Sequence, residues 1–476
     1  MKRSVPDTEY SILLPHQILL PELFPHILGY LSSWQRYRMV TVCKAWSEPR
    51  GYLDQSTETL SKRDPIPIDL SRLVNLKKIS AIGSNPLLAG VRDGLFKKLS
   101  SLRIGLDFRQ PLDTYMVSAM RSLANLTSLT LSGTLSSFTA TFKHLSLLEK
   151  LDIRCNHTGE SNDFDEALSL LPSLTSLRLR APDMTGSCFR SLTKLRELEL
   201  YARLRLDVTL IGKLTQLTRL FITMEFTGSK LKQLVDDRCH LFRDLTNLTA
   251  LGLPCNGIVR NQHISHLSSL RLLDLNDNTV ISSAVLLHFP HLTTLVLCDR
   301  GNGNHCNGLR DERLNFHIST LTELKSLSYE CHHGPSLNDF MLRQFTSLTS
   351  LHIYGNRNIT SVSLSFLTNL RELEISETPL NNIDFSVLPV SITNLDLRHS
   401  INWHQSIRPL SSRLTNLRHL ALGLLKPKEP LDDWCESLTS LHSLERVTHT
   451  NKFSRGHNNP HLKLVGVPDH IEVRRY

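Results

Sequence analysis

The chain has 476 residues, 40% of them hydrophobic and 21% charged, and its 54 Lys and Arg against 45 Asp and Glu leave a net charge of +9. That is the composition of a folded soluble protein with ample material for a large core, and the modest basic excess, without a long cationic run, gives no strong nucleic-acid signal. Nine scattered cysteines argue against a disulfide framework, and no stretch of about 18 uninterrupted apolar residues marks a membrane span, so the expectation is a protein of the cytoplasm or nucleus, neither secreted nor membrane-bound.

Residues 1–15, of which the first ten are polar, read as a flexible N-terminus. From Leu20 to Trp46 the chain carries two apolar stripes, Leu23, Phe24, Ile27, Leu28 and Leu31, then Met39, Val40, Val42, Cys43 and Trp46, separated by Ser32 and Ser33. This predicts two or three short helices, too small to be stable without packing on something else. The stretch Leu20-Pro21-Glu22-Leu23, followed by Ile27 and Leu31 and closed by Val42-Cys43-Lys44 and Trp46, resembles the F-box, here assigned to residues 16–50. The resemblance implies docking to a Skp-type adaptor of a cullin-RING ubiquitin ligase, with Leu20, Pro21, Leu23, Ile27, Leu31, Val42 and Cys43 at the adaptor contact and Trp46 packed inside. Gln35 and Arg36 depart from the family's acidic-then-leucine pair. A helical cap on the rest of the chain would bury the same leucines.

Residues 51–65 read as a linker. Beyond them, over 66–450, one spacing rule recurs, L-x-x-L-x-x-L-x-L, as at Leu214, Leu217, Leu220 and Ile222 and again at Leu267, Leu270, Leu273 and Leu275. Its central leucine returns at 129, 151, 177, 198, 220, 251, 273, 295, 327, 351, 373, 395 and 420, most often 22 residues apart. A unit with one apolar edge cannot close a core alone, so stability must come from stacking. The pattern resembles the leucine-rich repeat, and Asn156, Asn256, Asn278 and Asn356 fill the family's asparagine position. The resemblance implies an α/β fold: a curved solenoid of about 14–16 units, with parallel strands on a concave face and irregular or helical returns behind. The threonine after the first leucine of openings such as LTQL and LTNL belongs to the turn before the strand, where its hydroxyl is expected to bond backbone. Intervals at 154–170, 224–244 and 299–320 exceed the basic unit, and extra length in a solenoid emerges as loops. Residues 451–476 read as a C-terminal cap or tail, with a candidate strand before the end.

Catalytic motifs are missing: there is no G-x-S-x-G elbow, phosphate-binding loop or H-E-x-x-H helix, so no enzyme and no cofactor are expected. Cys298, His305, Cys306, Cys331, His332 and His333 form the most metal-like cluster, but they lack a C-x-x-C pair, and buried cysteines and surface histidines account for them. Recognition is better placed on the side chains that alternate with the ladder leucines: Arg178, Arg180, Glu199, Tyr201, Phe221, Asp274, Asn276, His352, Tyr354, Glu374 and Arg398. Mixed charge with aromatic anchors suits a protein target. Two functions follow from the sequence: a noncatalytic substrate-recognition subunit of a cullin-RING ligase with an unknown protein substrate, or a repeat scaffold without ligase association. Regulation of a small GTPase is a more distant alternative.

Overall fold

The computed structural model describes residues 58–60, 77–82, 91, 93–94, 97–105, 120–132, 139–154, 163–180, 184–202, 206–224, 242–255, 257, 259–278, 280–299, 313–331, 337–356, 358–376, 384–398, 413–422, 441–449 and 472–475. The F-box-like segment 16–50, and with it Leu20, Pro21, Leu23, Ile27, Leu31, Val42 and Cys43, lies outside the described residues, as do Asn156 and Asn256. The chain forms two compact units, Met1–Leu195 and Arg196–Tyr476.

In the first unit the strands are β1 (Glu58–Leu60), β2 (Lys78–Ile82), β3 (Ser101–Gly105), β4 (Ser128–Ser132), β5 (Lys150–Arg154) and β6 (Ser176–Arg180), each parallel to the next. β1 falls in the stretch that reads as a linker from sequence. The central leucines meet in register, Leu102 with Leu129, Leu151 and Leu177. All four are at most 2% exposed. Ile104, Leu131, Ile153 and Leu179 form a second buried row two residues on. Two single returns, α1 (Thr139–Phe142) and α2 (Asp163–Ser169), and a 3-10 turn at Ser187–Arg190 complete the units.

The second unit repeats the scheme with β7 (Glu197–Ala202), β8 (Arg219–Met224), β9 (Ala250–Gly252), β10 (Leu272–Asp274), β11 (Thr294–Asp299), β12 (Ser326–Cys331), β13 (Ser350–Tyr354), β14 (Glu372–Ser376), β15 (Asn394–Leu397), β16 (His419–Leu422), β17 (Arg446–His449) and β18 (Glu472–Arg475). β18, at the end of the stretch 451–476, pairs with β17. One row runs from Leu198 through Leu220, Leu251, Leu273, Leu295, Leu327, Leu351, Leu373, Leu395 and Leu420 to Val447. Burying each such side chain is worth about 1.5–3 kcal/mol, which is why stacking holds units that could not fold alone. The returns are short: α3 (Val208–Ile211), α4 (Asn261–Ile264), α5 (Leu314–Ser319), α6 (Asp339–Leu342) and α7 (Ser361–Leu364), with 3-10 turns at Ser283–His288 and Phe385–Val387. Each described unit is thus a parallel-strand solenoid of leucine-rich-repeat type.

Polar groups lock one repeat to the next. At the start of β3–β6 and β8–β17, two successive amides share the carbonyl of the preceding repeat, as Thr249 and Ala250 do with Thr218 O at 2.9 and 3.1 Å. A threonine hydroxyl joins them at 3.0–3.2 Å in Thr127, Thr175, Thr218, Thr249, Thr293, Thr349 and Thr393. In two of the LTxL openings this hydroxyl belongs to the threonine three places after the turn threonine: Thr218 after Thr215, and Thr249 after Thr246. The asparagines of the same openings reach back too: Asn247 to Thr215 O at 3.0 Å, Asn369 to Thr346 O at 2.9 Å and Asn416 to Val390 O at 3.0 Å.

The described asparagines of the ladder are 1% exposed and serve the backbone. Asn278 Oδ1 accepts from Val280 and Ile281 N–H at 2.9 and 2.8 Å, while Asn356 donates to Leu337 O at 3.1 Å and accepts from Asn358 N–H at 2.8 Å. The residue before each is left-handed, Asp277 at φ 49° and Gly355 at φ 66°, turning the chain off the strand.

Candidate functional site

Because side chains alternate across a strand, burying the ladder leucines forces the intervening residues onto the other face of the sheet. In the second unit the parallel register arranges these into rows. One contains Ser326, Ser350, Glu372, Asn394, His419 and Arg446; the next contains Ser328, His352, Glu374, Asp396, Ala421 and Thr448. A third carries Cys298, Glu330, Tyr354 and Ser376.

Chain length along the second row shapes the surface. Ala421 and Thr448 are short where the neighbouring positions carry long side chains, leaving a hollow of about 260 Å³. His352, Glu374, Asp396, His419 and Arg446 wall it, and the ladder leucines Leu373, Leu395 and Leu420 lie beneath. Glu374 and Asp396 are register partners, so two carboxylates sit side by side on neighbouring strands, an unfavourable arrangement without compensation. Arg398 compensates one of them: its guanidinium clamps Asp396 with Nε to Oδ2 at 2.9 Å and Nη2 to Oδ2 at 2.6 Å. Glu374 has His352 Nδ1 at 3.6 Å, a partner that is cationic only when protonated, and accepts from Ser376 Oγ at 3.5 Å. Glu372 accepts from Ser350 Oγ at 3.1 Å. His419 Nδ1 is sequestered without a hydrogen-bond partner.

The residues singled out from sequence divide between the two units. Arg178 and Arg180 are exposed on β6 of the first unit. In the second, His352 and Glu374 line the hollow, Tyr354 lies two residues beyond His352 on β13 and Arg398 follows β15 and reaches it only through Asp396, whereas Glu199, Tyr201 and Phe221 stand on β7 and β8. Tyr201 is 37% exposed. Phe221 is half-buried because its ring lies over Gly252: a Cβ there would come within 2.1 Å of the ring. Arg219 sits 5.7 Å from the Phe221 centroid. Asp274 and Asn276 are less available than their alternation suggests. Burial pushes the Asp274 carboxyl above the usual carboxylate range, the Asn276 N–H at 3.0 Å offsets part of this, and the Asp277 charge adds to it. Asn276 Oδ1 is itself buried without a partner.

Glu372, Asn394, His419, Ala421, Arg446 and Thr448 also line the hollow. The same alternation rule locates each of them: His419 and Arg446 directly precede Leu420 and Val447. Their convergence becomes visible only when five strands are in register.

The register also separates the metal-like cysteines. Cys298 pairs with Glu330 and Cys331 with Asp299, one place out of step, and Cys298 Sγ lies 3.4 Å from Ser328 Oγ. His305, Cys306, His332 and His333 lie outside the described residues. Among the described residues no group of three or more His, Cys, Asp and Glu is placed to hold a metal, and no helix is long and apolar enough to cross a membrane.

Inter-repeat brackets on the return side have no counterpart in the sequence reading. Asp165 accepts from Thr185 N–H and Oγ–H, both at 2.8 Å, and from Cys188 N–H at 3.2 Å. Asp339 takes Thr360 N–H at 2.8 Å and its hydroxyl, and Asn261 takes Ser282 N–H at 2.9 Å. Burial pushes the Asp165 carboxyl up, but the bonds from Thr185 and Cys188 together outweigh it and hold the group below the carboxylate range. The Cys188 thiol is pushed far up by burial and then by the Asp165 charge, so it has no thiolate reactivity. On the same side, Phe316, Phe340 and Phe366 are 64%, 70% and 51% exposed.

No family model matches the chain. An acidic leucine-rich nuclear phosphoprotein 32-related protein of Plasmodium falciparum (isolate 3D7) is 32% identical over 104 residues, covering 21% of this chain and only 34% of that protein. Among solved structures, a leucine-rich-repeat protein of Leptospira interrogans is 19% identical over 86% of this chain and 92% of its own, with a TM-score of 0.42. TLR13, in a complex with single-stranded RNA, is 18% identical over 80% of this chain and 68% of its own, at 0.44, and an internalin of Listeria monocytogenes is 16% identical over 86% and 89%, at 0.32. These scores are low, and the repeat fold rests on the strand register and buried ladder of this chain itself.

Proposed function

We propose that this chain is a noncatalytic protein-recognition solenoid whose sheet face, above all β12–β17 of the second unit, holds a protein partner. The observation that carries this is the register itself: buried leucines fix the spacing of neighbouring strands near 4.8 Å, so the alternate side chains form one ordered surface of carboxylates, histidines, arginines and tyrosine, with a hollow in it. Such a surface binds by shape and charge and requires no chemistry of its own. The test is binding of candidate partners to the full chain and to a His352→Ala/Tyr354→Ala/Glu374→Lys variant, with Phe340→Ser on the return side as the control. Loss in the face variant alone supports the reading, and equal binding by all three proteins contradicts it.

A second reading rests on the N-terminal motif. Leu20-Pro21-Glu22-Leu23 together with Val42-Cys43-Lys44 and Trp46 supports an F-box that tethers a Skp-type adaptor, so that the solenoid presents its bound partner to a cullin-RING ligase. Tethering would act by raising effective concentration and restricting orientation. The domain division that goes with it is residues 16–50 for the module, 51–65 for the connection, 66–450 for the repeats and 451–476 for the C-terminal cap. Copurification with the adaptor, abolished by Leu20→Ala/Pro21→Ala/Ile27→Ala, is the expected outcome. No binding at micromolar adaptor removes this reading and leaves the protein-binding solenoid in place.

A further inference from the structure

We propose that the hollow over β14–β17 receives an arginine or lysine side chain from a basic segment of the partner. This rests on the reading of that face as a protein-binding surface and specifies the chemistry it selects.

Charge compensation around the hollow is incomplete. Of the three carboxylates on β14 and β15, Asp396 is neutralised by the two-nitrogen clamp of Arg398. Glu374 and Glu372 are not: the first has a histidine at 3.6 Å and a weak serine contact, the second a serine hydroxyl at 3.1 Å. They lie two residues apart on one strand and share a face, roughly 7 Å from Cα to Cα, so one incoming cation can be approached by both. The short side chains Ala421 and Thr448 leave the volume of about 260 Å³ open beside them. Repulsion between Glu374 and its register partner Asp396 is relieved on only one side in the free protein, and a guanidinium or ammonium entering beside Glu374 relieves the other.

The rest of the face excludes the other macromolecular ligands. A nucleic acid would bring phosphates against Glu372 and Glu374, and an acidic peptide would do the same. Neither finds a compensating run of cations: against the three carboxylates of β14 and β15 stand Arg398, which is committed to Asp396, and Arg446, which walls the hollow from β17. A basic peptide laid across the strands instead meets Glu330, Glu372 and Glu374 in turn, with Tyr354 half-exposed beside them.

The test uses a displayed library of random twelve-residue peptides selected on the full chain, followed by affinity measurement against the wild type and Glu372→Gln/Glu374→Gln, which removes charge while keeping shape. Selected peptides enriched in arginine or lysine, with binding at least about tenfold weaker for the double variant and steeply weakened by salt, are the expected result. Sequence-selective peptides that bind both proteins equally, or that are acidic, overturn the proposal while leaving the protein-binding face intact. If no sequence-selective peptide emerges for either protein, the protein-binding reading falls with it.

Discussion

The two units share a backbone plan and differ in the face they present. In the first, the side chains alternating with the ladder are Lys78, Arg103, Lys150, Arg154, Arg178 and Arg180 among serines and a threonine, with Asp152 tied to Arg154 at 3.0 Å. In the second they include Glu197, Glu199, Asp274, Glu330, Glu372, Glu374 and Asp396 against Arg219, Arg398 and Arg446, with Tyr201, Phe221 and Tyr354 between them. One face is basic and hydroxyl-rich, the other acidic and aromatic. The leucine ladder is common to both: it sets where side chains stand, and under the proposed function the residues between the leucines choose the partner.

Breaking the shared plan should produce the largest effects and should do so equally in both units. Leu129→Ala and Leu351→Ala each remove a side chain that is at most 1% exposed, and each should destabilise its unit by about 3 kcal/mol in denaturant unfolding. A loss below about 1 kcal/mol in one of them would show that its ladder is not packed as the other is.

The difference between the units is sharpened by smaller changes. Asp165→Ala removes three inter-repeat hydrogen bonds in the first unit and should cost about 1–2 kcal/mol near neutral pH. Because the Asp165 carboxyl is held below its unfolded value, its contribution is present above the unfolded carboxylate pKa and is lost as pH falls through the folded one. The variant should thus lose its deficit in acid, which thermal unfolding across pH can check.

Asp274 in the second unit has the opposite sign. Its carboxyl is raised by burial, so its stabilisation is fully present below the unfolded pKa and is lost as pH rises through the folded value. Asp274→Asn keeps an acceptor for the Asn276 N–H and should raise Tm slightly near neutral pH, with the gain vanishing in acid. A lower Tm at neutral pH would mean that the charge is compensated.

The ladder was legible because a buried leucine every 22 residues or so leaves a periodic trace, and the alternation rule then placed His352, Tyr354, Glu374 and Arg398 on one face. The hollow was not legible, since it arises from what is small, Ala421 and Thr448, next to what is long on strands more than 20 residues away. Nor were the Asp165, Asn261 and Asp339 brackets: their partners lie 20 to 23 residues on, in returns whose register no leucine fixes. Phe221 reads as a free anchor until Gly252 is placed beneath its ring.

The central claim is that residues between the leucines, and not the ladder, determine what binds. Charge reversal at one pair tests it most directly: Glu372→Lys/Glu374→Lys, on exposed or half-exposed positions, measured against matched basic and acidic twelve-residue peptides and by thermal unfolding. The account predicts that preference switches from the basic to the acidic peptide while Tm changes little. Retained preference for the basic peptide with an unchanged Tm would contradict it.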